Sequence, residues 1–122
     1  MLLVLTLSLA GYSSRITLPR WQLFRRPAQL SAAQAAGLPC VAMTAWFAVQ
    51  QQASPIAKGH WVLVHSAAGG VGSMLVQMAK INGWKVLGVV GQGHKVVAVE
   101  ALGADAVVEK SGLTSEQLWV QV

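Results

Sequence analysis

WVLVHSAAGGVGSMLVQMAK, residues 61–80, opens as an apolar run too short for a helix, breaks into small residues and glycines, and resumes with helical spacing. Val62, Leu63 and Val64 read as a strand, the continuous apolar run expected where both faces of a parallel sheet are covered. After the glycines, Val71, Leu75, Met78 and Asn82 stack one above another with Met74 and Ile81 beside them, and Ser73, Gln77 and Lys80 take the other side, as in an amphipathic helix. The small residues between, Ala67 to Gly72, require something to approach the backbone closely.

Further along, KVLGVVG at 85–91 is a second strand, a helix covers about 95–102 with Gly103 at its left-handed end, and ADAVVEK at 104–110 is a third strand. TSEQLWVQV at 114–122 starts another helix, capped by Thr114 or Ser115. Strand, helix, strand, helix, strand defines an α/β fold with a parallel sheet, the first βαβαβ half of a doubly wound, Rossmann-type domain. Ahead of it, LSAAQAAGLPCVAMTAWFAVQQ at 30–52 reads as two short helices: one capped by Ser31 and ended by Gly37-Leu38-Pro39, the next from about Val41 to Gln51. The chain thus divides into an unassigned leader (1–29), a helical link (30–59) and an incomplete nucleotide-binding domain (60–122).

In a dinucleotide-binding turn, the first small residue allows the bend out of the strand, the second lets the backbone approach a pyrophosphate, and the third lets helix pack on strand. AAGGVG keeps Gly69 and Gly72 at the second and third positions and puts Ala67 at the first. The helix starting near Gly70 would offer free N–H groups and its positive end to phosphate. The competing reading is a tight turn with no ligand. A P-loop is excluded, because Gly72 is followed by Ser73 and Met74 rather than Lys-Ser/Thr.

The end of the second strand decides between cofactors. An NAD site places an acid about twenty residues after the turn to hold the ribose hydroxyls; here the residues are GQGHK, 91–95. Lys95, with His94 or Gln92, suits a 2′-phosphate, which favours NADPH. The alternative for Lys95 is an ordinary solvated lysine.

Composition limits the other possibilities. The 122 residues are 54% hydrophobic and 11% charged, with net charge +5. All four acids, Glu100, Asp105, Glu109 and Glu116, come late, so chemistry needing paired carboxylates has poor material. The basic residues are scattered, with Arg25-Arg26 the sole adjacent pair, which argues against nucleic acid. Cys40 is the one cysteine, and with His60, His65 and His94 it makes no metal-ligand spacing. No metal is expected. The opening MLLVLTLSLAG is too short to span a bilayer. It has the apolarity of a signal-peptide core, with Ser8-Leu9-Ala10 passing for a cleavage site, but no basic residue precedes it. Read to Leu30, the segment has Arg15, Arg20, Arg25 and Arg26 and no acid, which is transit-peptide composition. The cytoplasm is the first expectation for compartment and the mitochondrion the alternative.

Taken together, LSAAQAAGLPCVAMTAWFAV, KGHWVLVHSAAGGVG, KVLGVVG with HK, and ALGADAVVEKS resemble the zinc-independent quinone oxidoreductase and enoyl reductase branch of the medium-chain dehydrogenase/reductase superfamily. The resemblance covers the larger part of the chain. It implies NADPH-dependent reduction of a quinone or an activated double bond in a small-molecule substrate, by hydride transfer. It also implies that Gly69, Gly70, Val71 and Gly72 line the pyrophosphate, that Lys95 meets the 2′-phosphate, and that Thr44 lies near the nicotinamide. Thr44 could equally bond its own helix backbone. The Tyr-x-x-x-Lys pair of short-chain dehydrogenases is absent, since Tyr12 has Ile16 four residues on. The family carries a catalytic domain before the first of these helices and further strands after Val122, so the chain resembles a form truncated at both ends. An inactive nucleotide-binding or interaction fragment is the alternative to an enzyme, and an open, apolar sheet edge should drive self-association.

Overall fold

The computed structural model describes residues 2–4, 12–52, 55–114 and 116–117. The chain forms two compact units, Met1–Cys40 and Val41–Val122. In the first, β1 (Leu2–Val4) pairs antiparallel with β2 (Leu23–Arg25), a strand pair that the leader's composition did not announce. The cleavage-like Ser8-Leu9-Ala10 lies outside the described residues.

Helix α1 (Ala32–Phe47) begins as expected. Ser31 Oγ accepts from the Gln34 N–H at 3.1 Å, and Gln34 Oε1 accepts from the Ser31 N–H at 2.9 Å, a reciprocal capping box. The two short helices expected on either side of Pro39 are instead one continuous helix with Pro39 inside it. Proline interrupts one i to i−4 bond and strains the turn before it without obliging the chain to stop. The helix runs on into a π turn, Ala48–Gln52.

The second unit holds the site. Strands β3 (Trp61–Val64), β4 (Lys85–Val90) and β5 (Ala106–Glu109) form a parallel sheet in the order β3-β4-β5. Val64 lies opposite Gly88, and Val90 opposite Glu109. Helix α2 (Gly70–Ile81) links β3 to β4, and a 3-10 turn (Gly93–Lys95) followed by α3 (Val96–Ala101) links β4 to β5. This is the expected partial Rossmann topology. After α3, Gly103 takes a φ of +101°, where a Cβ would be disfavoured, and the chain turns into β5.

The core comprises Val64, Ala67, Val76, Ala79, Trp84, Val86, Val90 and Val99. Each fully buried Val contributes on the order of 1.5–3 kcal/mol of transfer free energy. Trp84 satisfies its indole N–H on the Ile56 carbonyl at 3.1 Å. Burial in α2 differs from the apolar stripe read in the sequence. Gly72, Val76 and Ala79 are the fully buried residues, whereas Ile81 is 85% exposed. Small side chains let the helix lie close against the strands, so the inner face is the one with the least hydrophobic bulk. In β3 the run is not covered on both faces, since Trp61 is 55% and Leu63 36% exposed. Full coverage belongs to the central strand, where Val86, Val89 and Val90 are buried.

The expected helix over 114–122 lies mostly outside the described residues. Its cap is visible: Thr114 and Gln117 exchange side chain to backbone bonds at 3.2 and 2.9 Å, another capping box.

Candidate functional site: a cleft at the turn from β3 to α2

The turn leaves β3 through Ser66, which adopts φ +52°, a left-handed conformation uncommon for a residue with a side chain. Ala67 then buries its methyl in the core and donates its N–H to the Val89 carbonyl at 3.0 Å, tying the turn to β4. The Gly69 N–H returns to the Ser66 carbonyl at 2.8 Å, and the Gly69 carbonyl accepts the first helical bond, from Ser73, at 2.8 Å. Gly69 is the N-cap and brings no capping side chain. The N–H groups of Gly70, Val71 and Gly72 precede the first helical carbonyl, so they emerge from the helix start without an intrahelical partner.

The glycines of this turn are needed first by the protein itself. A Cβ on Gly72 would lie 2.2 Å from the Ser66 carbonyl oxygen and 2.9 Å from Ala67 Cα, and one on Gly70 2.9 Å from Val41 Cγ1. Gly69 has more room, 3.1 Å to the Ser66 oxygen. Gly72 is therefore the residue of helix-on-strand packing, and Gly69 is the position facing outward.

That outward side is a cleft of about 230 Å³ lined by Ser66, Ala68, Gly69, Val90, Gly91, Lys95 and Lys110. Of the residues singled out in the sequence, the cleft brings together Gly69 and Lys95. Gly70, Val71 and Gly72 form the start of α2 beside it, and Ala67 lies beneath it in the core. Gln92 and His94 are exposed in the turn that carries Lys95, and Thr44 is exposed on α1; none of these three lines the cleft. Sequence reasoning missed Ser66, Ala68, Val90, Gly91 and, most consequentially, Lys110. Lys110 reaches the cleft because β5 ends beside β4, with the Lys110 N–H donating to the Val90 carbonyl at 2.9 Å. Two ammonium groups and a helix start around one small cleft are a donor set for phosphate. Phosphate groups of a dinucleotide fit such residues, and a 2′-phosphate fits the lysines.

No family model matches the chain. It is 40% identical over 97 residues to the mitochondrial NAD(P)H oxidoreductase RTN4IP1 of Homo sapiens, a match spanning 76% of this chain and 24% of that protein. Among solved structures it superposes on the quinone oxidoreductase of Pseudomonas syringae pv. Tomato DC3000 with TM-score 0.70 and 32% identity, covering 85% of this chain and 32% of that one. It also superposes on the quinone oxidoreductase of Thermus thermophilus, solved with and without NADPH, with TM-score 0.70 and 34% identity over 78% of this chain and 32% of that one. Over the part that it spans, the chain is related to the quinone oxidoreductases of the medium-chain dehydrogenase/reductase superfamily. It spans about a quarter of the length of the curated relative and about a third of these solved structures.

Proposed function

We propose that this chain is the cofactor-binding portion of a zinc-independent, NADPH-dependent oxidoreductase that reduces a quinone or an enoyl or enone double bond. The bound cofactor would supply a hydride. The chain's own residues bind and orient the adenosine end: the N–H groups at the start of α2 take the pyrophosphate, and Lys95 and Lys110 take the 2′-phosphate. The observation that carries this reading is the cleft, where Gly69 at the head of α2 and both lysines line one cavity. A mitochondrial location is proposed with it, in keeping with the mitochondrial relatives from human, mouse and nematode and the acid-free, Arg-containing leader.

Thermal shift of the full chain with NADPH and, separately, NADH tests the proposal. NADPH should raise the melting temperature more than NADH, and Lys95→Glu should abolish that preference. An equal response to both cofactors in the parent chain would refute the 2′-phosphate assignment.

A second reading is binding without turnover, in a chain that associates through its sheet. The exposure of Trp61 and Leu63 on β3, whose one partner strand among the described residues is β4, favours it. Saturable NADPH binding with no reduction of a quinone acceptor would select this reading.

A further inference from the structure

Glu109 does not line the cleft, but it meets the turn that carries Lys95. Glu109 ends β5 opposite Val90, the last residue of β4, and its carboxylate crosses to the turn that follows β4. A Cβ placed on Gly93 would lie 2.7 Å from Glu109 Oε2 and 3.4 Å from its Cδ. The carboxylate thus sits against the backbone of Gly93, two residues before Lys95 and next in sequence to Lys110. Its other oxygen accepts a hydrogen bond from Ser111 Oγ, which fixes the side chain's direction. GQGHK, at the end of the second strand, has no acid of its own. The neighbouring strand brings one to the same turn.

We propose that Glu109 is a specificity-determining residue of the cofactor cleft: its carboxylate accepts hydrogen bonds from a ribose diol and opposes a 2′-phosphate. The consequence is a weaker preference for NADPH over NADH than Lys95 and Lys110 would set by themselves, with NADPH still the tighter ligand. This rests on the cofactor reading above. The charge balance at this turn is two ammonium groups against one carboxylate, and a phosphate dianion gains from the first and loses to the second. An unphosphorylated ribose loses little to either and gains an anionic acceptor.

The test is the ratio of the dissociation constants for NADH and NADPH, measured on the full chain and on two variants. Glu109→Gln keeps the shape and removes the charge. It should tighten NADPH, weaken NADH and raise the ratio by roughly tenfold, the scale of one charged hydrogen bond. Gly93→Ala keeps the charge but displaces the carboxylate, and should move the ratio the same way by a smaller factor. Higher salt should shrink the gain in NADPH affinity of Glu109→Gln, because the repulsion it removes is screened. If the parent chain binds NADPH and Glu109→Gln leaves the ratio unchanged, the role of Glu109 is overturned while the cofactor reading stands. If the parent chain binds neither nucleotide, both fall.

Discussion

Gly72 shows how much of a ligand-binding motif is structural. Its missing side chain leaves room for the backbone of Ser66 and Ala67, and neither can yield as a flexible side chain would. Gly72→Ala should therefore cost about 1–3 kcal/mol of stability whether or not a cofactor binds, measured by urea unfolding of the two proteins. Gly69→Ala meets a less severe contact and should cost distinctly less. A larger loss at Gly69 than at Gly72 would contradict this division of labour. Position in AAGGVG already assigns close approach to Gly69 and helix-on-strand packing to Gly72, and the Ser66 carbonyl is the atom that enforces the difference. Lys95 was legible because it lies at a known distance after the turn. Lys110 was not, since no local pattern marks a residue whose role depends on one strand ending beside another. Thr44 is expected near the nicotinamide from family resemblance alone, and the cleft, read as the adenosine end of the site, does not bear on it.

Among elements, the joint between α2, β4 and β5 depends on Asp105. Its Oδ2 accepts from Lys80 Nζ and from the Val86 N–H, both at 2.7 Å, and its own N–H donates to the Val86 carbonyl at 2.9 Å. The Lys80 ammonium first, and the Val86 N–H second, hold this carboxyl below its ordinary value. A depressed carboxylate stabilises the fold fully above its unfolded pKa, and that contribution is lost as pH falls through the folded value. Asp105→Asn should thus be less stable than the parent at neutral pH, and the gap should close in acid, as followed by denaturant titrations across that range. A gap independent of pH would show that the carboxylate's charge is irrelevant. Pro39 makes the opposite kind of element: Pro39→Ala returns an N–H to α1 opposite the Ala35 carbonyl and should stabilise the helix, by up to about 3 kcal/mol, seen as increased helicity and a higher melting temperature. The strand and helix alternation was readable because apolar runs and positive-φ glycines mark it. At Pro39 and on the inner face of α2 the structure departs from the sequence pattern for physical reasons. Proline strains a helix without always ending it, and hydrophobic bulk is a poor guide where close approach demands Gly and Ala.

At the scale of the whole molecule, the sheet has its best-covered strand in the centre and its most exposed apolar residues on β3. Trp61 is partly shielded by Lys85, whose Nζ lies 5.5 Å from the ring centroid, but Leu63 has no such cover in the described contacts. We propose that this edge pairs two copies of the chain. Sedimentation should show association that rises with concentration, and Leu63→Lys, a charge of the kind that protects natural edges, should shift the chain toward monomer. Association unchanged by Leu63→Lys would place the contact elsewhere.

Cofactor binding at the head of α2 is tested most directly by backbone amide NMR of the full chain titrated with NADPH. Saturable shifts should concentrate at Gly69 to Gly72, at Gly91 to Lys95 and at Lys110, with residues of the outer face of α2 such as Ile81 unmoved. Saturable shifts centred away from this turn, or none at all, would contradict it.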